Sequence, residues 1–168
     1  MAARTTVMRR AAPLHPILVH FTIALTSASL FFDLLGRVLH APGLAAAGWW
    51  TLALSAVSTV LTLATGVVSR LGIDIGEGEA RSWLRLHMAL GPIFFGMLVA
   101  MTAWRGQLWS AEREAGWWYL AALGLTVIVM TVQGFIGGEL VYRWGVAVEG
   151  SHRDLRQRRA AEPPPRRA

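Results

Sequence analysis

The stretch LAAAGWWTLALSAVSTVLTLATGVV, residues 44–68, carries no charged residue over twenty-five positions. A helix rising about 1.5 Å per residue would reach about 37 Å over that length, more than the roughly 30 Å hydrocarbon core of a bilayer. Lipid offers no water to an unpaired backbone group, so a helix, which bonds its own backbone, is the expected form. Working outward, three further apolar runs repeat the pattern, at about Ile17–Leu39, Trp83–Trp104 and Trp117–Gly138. Short connectors join them, so the expected fold is all-α: a four-transmembrane-helix bundle in up-down-up-down order. Residues 1–14 read as a basic lead, 15–148 as the membrane domain and 149–168 as a disordered tail rich in arginine and proline. A cleaved signal peptide is the rival reading of the basic start. The length of the first run, and Asp33 and Arg37 with no small-x-small site after them, favour retention.

Composition agrees with a membrane protein. Hydrophobic residues make up 54% of 168 residues and charged residues 15%. There is no cysteine, which excludes disulfides, thiolate metal sites and covalent c-type haem attachment. All sixteen basic residues are arginine, and the net charge is +6. Their distribution marks topology rather than nucleic-acid binding. Thirteen fall on the side of the termini and the middle loop; only Arg37, Arg105 and Arg113 fall on the other. The positive-inside bias therefore places both termini in the cytoplasm, N-in and C-in. Seven of the eight tryptophans lie at or near span ends, as interfacial belts require. The all-arginine, alanine-rich usage looks like that of a GC-rich bacterial genome, and the expected location is the bacterial cytoplasmic (inner) membrane.

Within the bundle, Thr51, Ser55, Ser58, Thr62, Thr65 and Ser69 follow one another at steps of 4 and 3, a seam of small hydroxyls on one face of the second span. A close helix contact is the expected role. A polar conduit is the sharper reading, but it lacks a buried carboxylate to accompany it. Gly134 and Gly138 form a small-xxx-small contact suited to packing in the bundle or to a homodimer. Gly91-Pro92 should kink the third helix.

Ionisable residues in a span are costly and often functional. Asp33 is expected to pair with Arg37, four residues on at the outer rim. His20 and His87 each stand about one turn inside their spans, on the first and third helices, which face each other across the bundle. The diagonal of about 11–14 Å suits two imidazoles on one metal with a flat macrocycle between them. Gly91 and Ala24, one turn further on, leave room for it. The expected cofactor is haem b, with His20 and His87 as axial ligands. Arg81, Arg85 and Arg143 at the cytoplasmic rim are candidate propionate partners. His15 lies about 140° from His20 around the helix, so both cannot face one centre; it is a secondary candidate. His40 and His152 have no level partner, so a second haem is not expected.

At LHPILVHF (Leu14–Phe21), RSWLRLHMALG and GGELVYRWGVAV the chain resembles a bacterial membrane family known as domain of unknown function 2231, over about residues 13–148. The resemblance implies a four-helix membrane domain. Some relatives are fused to Rieske or cytochrome c domains, which implies redox company. The family's histidines map onto His15, His20 and His87. Many relatives read Tyr-Arg-His-Gly where this chain has Tyr142-Arg143-Trp144-Gly145, a departure that weakens a multi-histidine site more than a histidine pair. The expected function is a haem-binding electron-transfer subunit; the alternative is a non-catalytic accessory or scaffold subunit of a larger redox, respiratory or photosynthetic complex. A transporter is disfavoured by small size and the lack of an inverted repeat. No nucleophile elbow, HExxH or phosphate loop is present, so an enzyme is not expected. The tail arginines are expected on anionic lipid head groups, not on nucleic acid.

Overall fold

The computed structural model describes residues 14–71, 78–146 and 148. The basic lead up to residue 13, most of the middle loop and the tail from 149 lie outside the described residues, and with them the expected disorder and lipid contacts of the tail. Among the described residues there are four helices: α1 (Leu14–Leu39), α2 (Pro42–Leu71), α3 (Glu79–Ser110) and α4 (Trp117–Tyr142). Each is long and apolar enough to cross a membrane. The helices outrun the apolar stretches, α3 by four residues at its start and six at its end, because the backbone ladder does not stop where hydropathy falls. α3 is continuous through Pro92.

Tight turns set the antiparallel order. His40 takes φ 51°, and the Ala41 N–H then donates to the Gly36 carbonyl at 3.0 Å. Pro42 opens α2 with the fixed φ that a first helical turn accepts. The turn after α3 uses the same device: Glu112 takes φ 52°, and the Arg113 N–H donates to the Leu108 carbonyl at 2.8 Å. α1 packs on α2, α2 on α3, α3 on α4 and α4 on α1, with α1 diagonal to α3. Both turns lie at one end, the loop end, and Leu14 and Tyr142 at the other, the terminal end.

On α1 the buried positions recur at steps of 4 and 3, and on α3 at steps of 3, 4 and 7. α1 buries Thr22, Thr26, Ser29, Asp33 and Gly36; α3 buries Ala80, Leu84, Gly91, Phe94, Leu98, Met101 and Arg105. That is the seven-residue spacing of a left-handed bundle. The composition is inverted relative to a water-soluble bundle. Hydroxyls and one ion pair face inward, while Phe21, Leu54, Val57, Ile128 and Phe135 face outward. Lipid accepts the apolar exterior, and helix interfaces in lipid favour small and hydrogen-bonding groups.

The expected hydroxyl seam on α2 meets a matching one on α1. The Thr26 and Ser55 hydroxyls lie 2.6 Å apart, Thr22 donates to Ser58 at 3.3 Å, and Ser29 donates to the Gly48 carbonyl at 2.9 Å. Two glycines of α4 meet other helices, Gly134 at Ile23 of α1 and Gly137 at the His87 ring of α3, whereas Gly138 meets only Tyr142 of its own helix.

Gly48 is the tightest point. A Cβ there would strike the Asp33 carboxylate, whereas one at Gly43 meets nothing within 4 Å. Gly48→Ala should destabilise the protein by about 1–3 kcal/mol, the range of an overpacked core, and Gly43→Ala should be near neutral. Thermal unfolding in detergent checks both.

Candidate functional site

Two polar centres sit at opposite ends of the bundle. At the loop end Asp33 does not pair with Arg37. It pairs with Arg105, whose Nε donates to both carboxylate oxygens at 3.1 and 3.2 Å and whose Nη2 donates to Oδ1 at 2.9 Å. The Tyr119 hydroxyl donates to Oδ2 at 3.2 Å, and Arg105 Nη2 also donates to the Ala45 carbonyl at 2.8 Å. The two side chains are 0% and 1% exposed. Arg37, one turn nearer the rim, bonds Glu114 at 2.5 Å and lies over the Trp117 ring. The physical reason is phase and burial. Asp33 stands eleven residues after Thr22, about 20° from it around the helix, so it faces the core with the hydroxyls. A carboxylate there needs a partner that is also in the core. Sequence reasoning missed Arg105 because the apolar run ends just before it. The signal was its step from Met101 and Leu98.

At the terminal end the structure brings together His15 and His87, not His20 and His87. His20 is exposed, with Nδ1 2.6 Å from the Pro16 carbonyl of its own first turn. His15 lies seven residues before Thr22, about 20° from it, and so faces inward. Its Nδ1 is 3.0 Å from the Thr62 carbonyl, with the Thr65 hydroxyl at 3.5 Å. His87 Nδ1 is 3.3 Å from the Gln133 carbonyl. The two rings lie close enough to interact electrostatically. Level follows from register. Eighteen residues separate His15 from Asp33, and eighteen separate His87 from Arg105. α1 and α3 run in the same direction, so the ion pair at one end sets the histidines level at the other, about 27 Å away. From Asp33, His20 stands five residues short of that level.

Both rings lie on glycine. A Cβ at Gly66 would come 2.9 Å from the His15 ring, and one at Gly137 would come 3.0 Å from the His87 ring. With each Nδ1 donating to a carbonyl, Nε2 of each ring keeps its lone pair, the state in which imidazole binds a metal. No group of three histidine, aspartate or glutamate side chains able to hold a metal ion occurs among the described residues. Arg85 is exposed at this end, donating to Ser82 at 3.2 Å, and Arg143 stands 3.6 Å from Glu139 and over the Trp144 ring. Trp144 packs beside Ala80, Leu84, Leu140 and Val146, with its Nε1 buried and without an acceptor.

A family model described as "Predicted membrane protein (DUF2231)" matches residues 11–150. No curated protein and no solved structure matches the chain.

Breaking a buried pair by removing one partner costs about 3–5 kcal/mol, whereas replacing both by apolar groups is often neutral. Asp33→Leu and Arg105→Met should each lower stability by that amount, and the double variant should recover most of the loss. A double-mutant cycle on thermal unfolding reads the coupling; additive losses would show that the pair is not a unit.

Proposed function

The chain belongs to the DUF2231 family of predicted membrane proteins, and from that premise we propose that it is a multi-pass subunit of the bacterial cytoplasmic membrane holding one b-type haem between His15 and His87. The observation that carries the reading is the pair of level imidazoles on diagonal helices, each with Nδ1 on a backbone carbonyl. Two ligands are too few for a bare ion, which takes four or more. Haem brings four nitrogens of its own and asks the protein for two. The donor set fits: both rings are neutral nitrogen donors, and Gly66 and Gly137 let each ring lie against backbone. When bound, the haem supplies one-electron transfer. The chain's own residues orient the rings, and Arg85 and Arg143 stand at the same end as candidate propionate partners. Both termini face the cytoplasm in this reading, with the arginine tail on anionic head groups, so the haem lies toward the cytoplasmic side.

An accessory role in a larger complex is compatible with this reading. A lipid-facing groove between α2 and α3, lined by Trp49, Ala56, Val99, Thr102, Ala103 and Gly106, favours it as a seat for another helix.

Protein expressed with haem supplied and purified in detergent should give the reduced-minus-oxidised bands of a bis-histidine b-type haem. His15→Ala and His87→Ala should abolish or strongly shift them, and His20→Ala should not. No bands in the wild type would overturn the assignment; loss in His20→Ala with retention in His15→Ala would return the ligand to His20. The absence of native cysteine allows a separate check on orientation. In intact cells an impermeant maleimide should label Ser110→Cys, and it should label Ser151→Cys only after lysis. The reverse pattern would invert the topology.

A further inference from the structure

Building on the haem reading, we propose that the Ser69 hydroxyl and the Trp144 indole N–H bind the two propionate carboxylates of the haem. One donor comes from α2 and the other from the turn that ends α4, so both come from the hairpin arms that carry no axial ligand.

Ser69 closes the hydroxyl seam of α2. Each of the other five members donates to a backbone carbonyl: Thr51 to Ala47 at 2.7 Å, Ser55 to Thr22 at 3.3 Å, Ser58 to Leu18 at 3.5 Å, Thr62 to Ser58 at 2.9 Å and Thr65 to Leu61 at 2.9 Å. Ser69 Oγ is buried and has no hydrogen-bond partner among the described residues. Ser69 stands seven residues after Thr62, about 20° from it around the helix, and so shares the face whose Thr62 carbonyl holds His15. It is three residues past Gly66, which lies against the His15 ring, and so about 4.5 Å further toward the terminal end. Trp144 Nε1 is a second buried donor at this end without a partner among the described residues. The chain turns after Tyr142, with the Val146 N–H donating to the Leu140 carbonyl at 2.9 Å, and the indole packs beside Ala80 and Leu84 of α3. Ala80 stands seven residues before His87, about 20° from it, so this cluster covers the His87 face on the terminal side of the ring.

Axial ligands stand perpendicular to a macrocycle. With His15 on α1 and His87 on α3, the edges of a flat ring must face the other diagonal, α2 and α4. Haem carries its two carboxylates side by side on one edge. Both donors lie to the terminal side of the histidines, so that edge belongs at the terminal end. A hydrogen bond to a carboxylate is charge-assisted and about twice as strong as a neutral one. The Arg143 guanidinium, 5.1 Å from the Trp144 ring, adds positive charge beside the indole, partly offset by Glu139 at 3.6 Å from Arg143. A phospholipid phosphate offers similar acceptor oxygens. Burial of both donor atoms favours carboxylates carried into the bundle on a ring over a headgroup held at the rim. An unpaired polar group away from water is costly, and a ligand that pairs two of them recovers that cost on binding.

The test titrates the full chain, purified in detergent without haem, with haemin and with haemin dimethyl ester, followed at the Soret band. Wild type should bind haemin about tenfold or more tightly than the ester, in which both carboxylates have lost their charge. Ser69→Ala and Trp144→Phe each remove the donor and keep most of the side chain. Each should weaken haemin by roughly three- to tenfold and the ester by less than about twofold. Neither should lower the thermal stability of the haem-free protein, since neither donor atom bonds a described residue. Haemin bound by the double variant as tightly as by wild type overturns the assignment. So does an equal loss for haemin and ester, which marks a packing effect. Phosphatidylglycerol added to the micelles should not compete with haemin; competition seen in wild type and lost in the double variant would give the donors to phosphate and overturn it as well. A wild type that binds neither haemin nor the ester overturns the haem reading and this assignment together, whereas bands that the variants leave unaltered overturn this assignment alone.

Discussion

The Asp33–Arg105 pair is the contact on which the arrangement of the four helices depends. Asp33 belongs to α1, Arg105 to α3, the accepting Ala45 carbonyl to α2 and the donating Tyr119 hydroxyl to α4. One hydrogen-bonded cluster therefore touches every helix at one level. In lipid there is little hydrophobic force to fix how far one helix slides past another, since the surroundings are as apolar as the side chains. A directional clasp fixes it. A buried pair is weak evidence for stability, because an apolar replacement can hold as well. What such a replacement loses is direction: leucine and methionine pack in several registers, and a guanidinium on a carboxylate does not.

The fold was readable because the bilayer sets a length, and four runs of that length are plain in the chain. The limits of the helices were not readable from hydropathy. Arg105 looked like the first residue of a loop, although its helix continues to Ser110. The site was half readable. The depth of His87 and the hydroxyl face of α2 could be read from residue type and spacing. The choice between His15 and His20 depends on rotation about α1, which the first span shows once Thr22, Thr26, Ser29 and Asp33 are recognised as one face. On that face His15 is inside and His20 is out. Counting depth from the start of the apolar run put His20 level with His87; counting from the ion pair puts His15 there. The contact of Arg37 with Glu114 was out of reach for another reason, since it joins two turns whose meeting depends on how the hairpins assemble.

The two ends of the bundle are tied differently, and the difference bears on what the terminal end can do. At the loop end the clasp joins one hairpin to the other, α1 and α2 to α3 and α4. At the terminal end each histidine ties its own hairpin: His15 bonds from α1 to α2, and His87 from α3 to α4. Neither crosses between hairpins. The hairpins are thus fastened to each other where Asp33 and Arg105 meet; their terminal halves meet by packing, as Ile23 against Gly134 and Leu63 against Gly91, and the Nε2 atoms of His15 and His87 make no hydrogen bond among the described residues. A group bridging those nitrogens would be the terminal-end counterpart of the clasp. The same asymmetry separates the bridge from the hydroxyl seam, which lies wholly within the α1–α2 hairpin. A change in the spacing of the hairpins would alter the histidine pair and leave the seam intact.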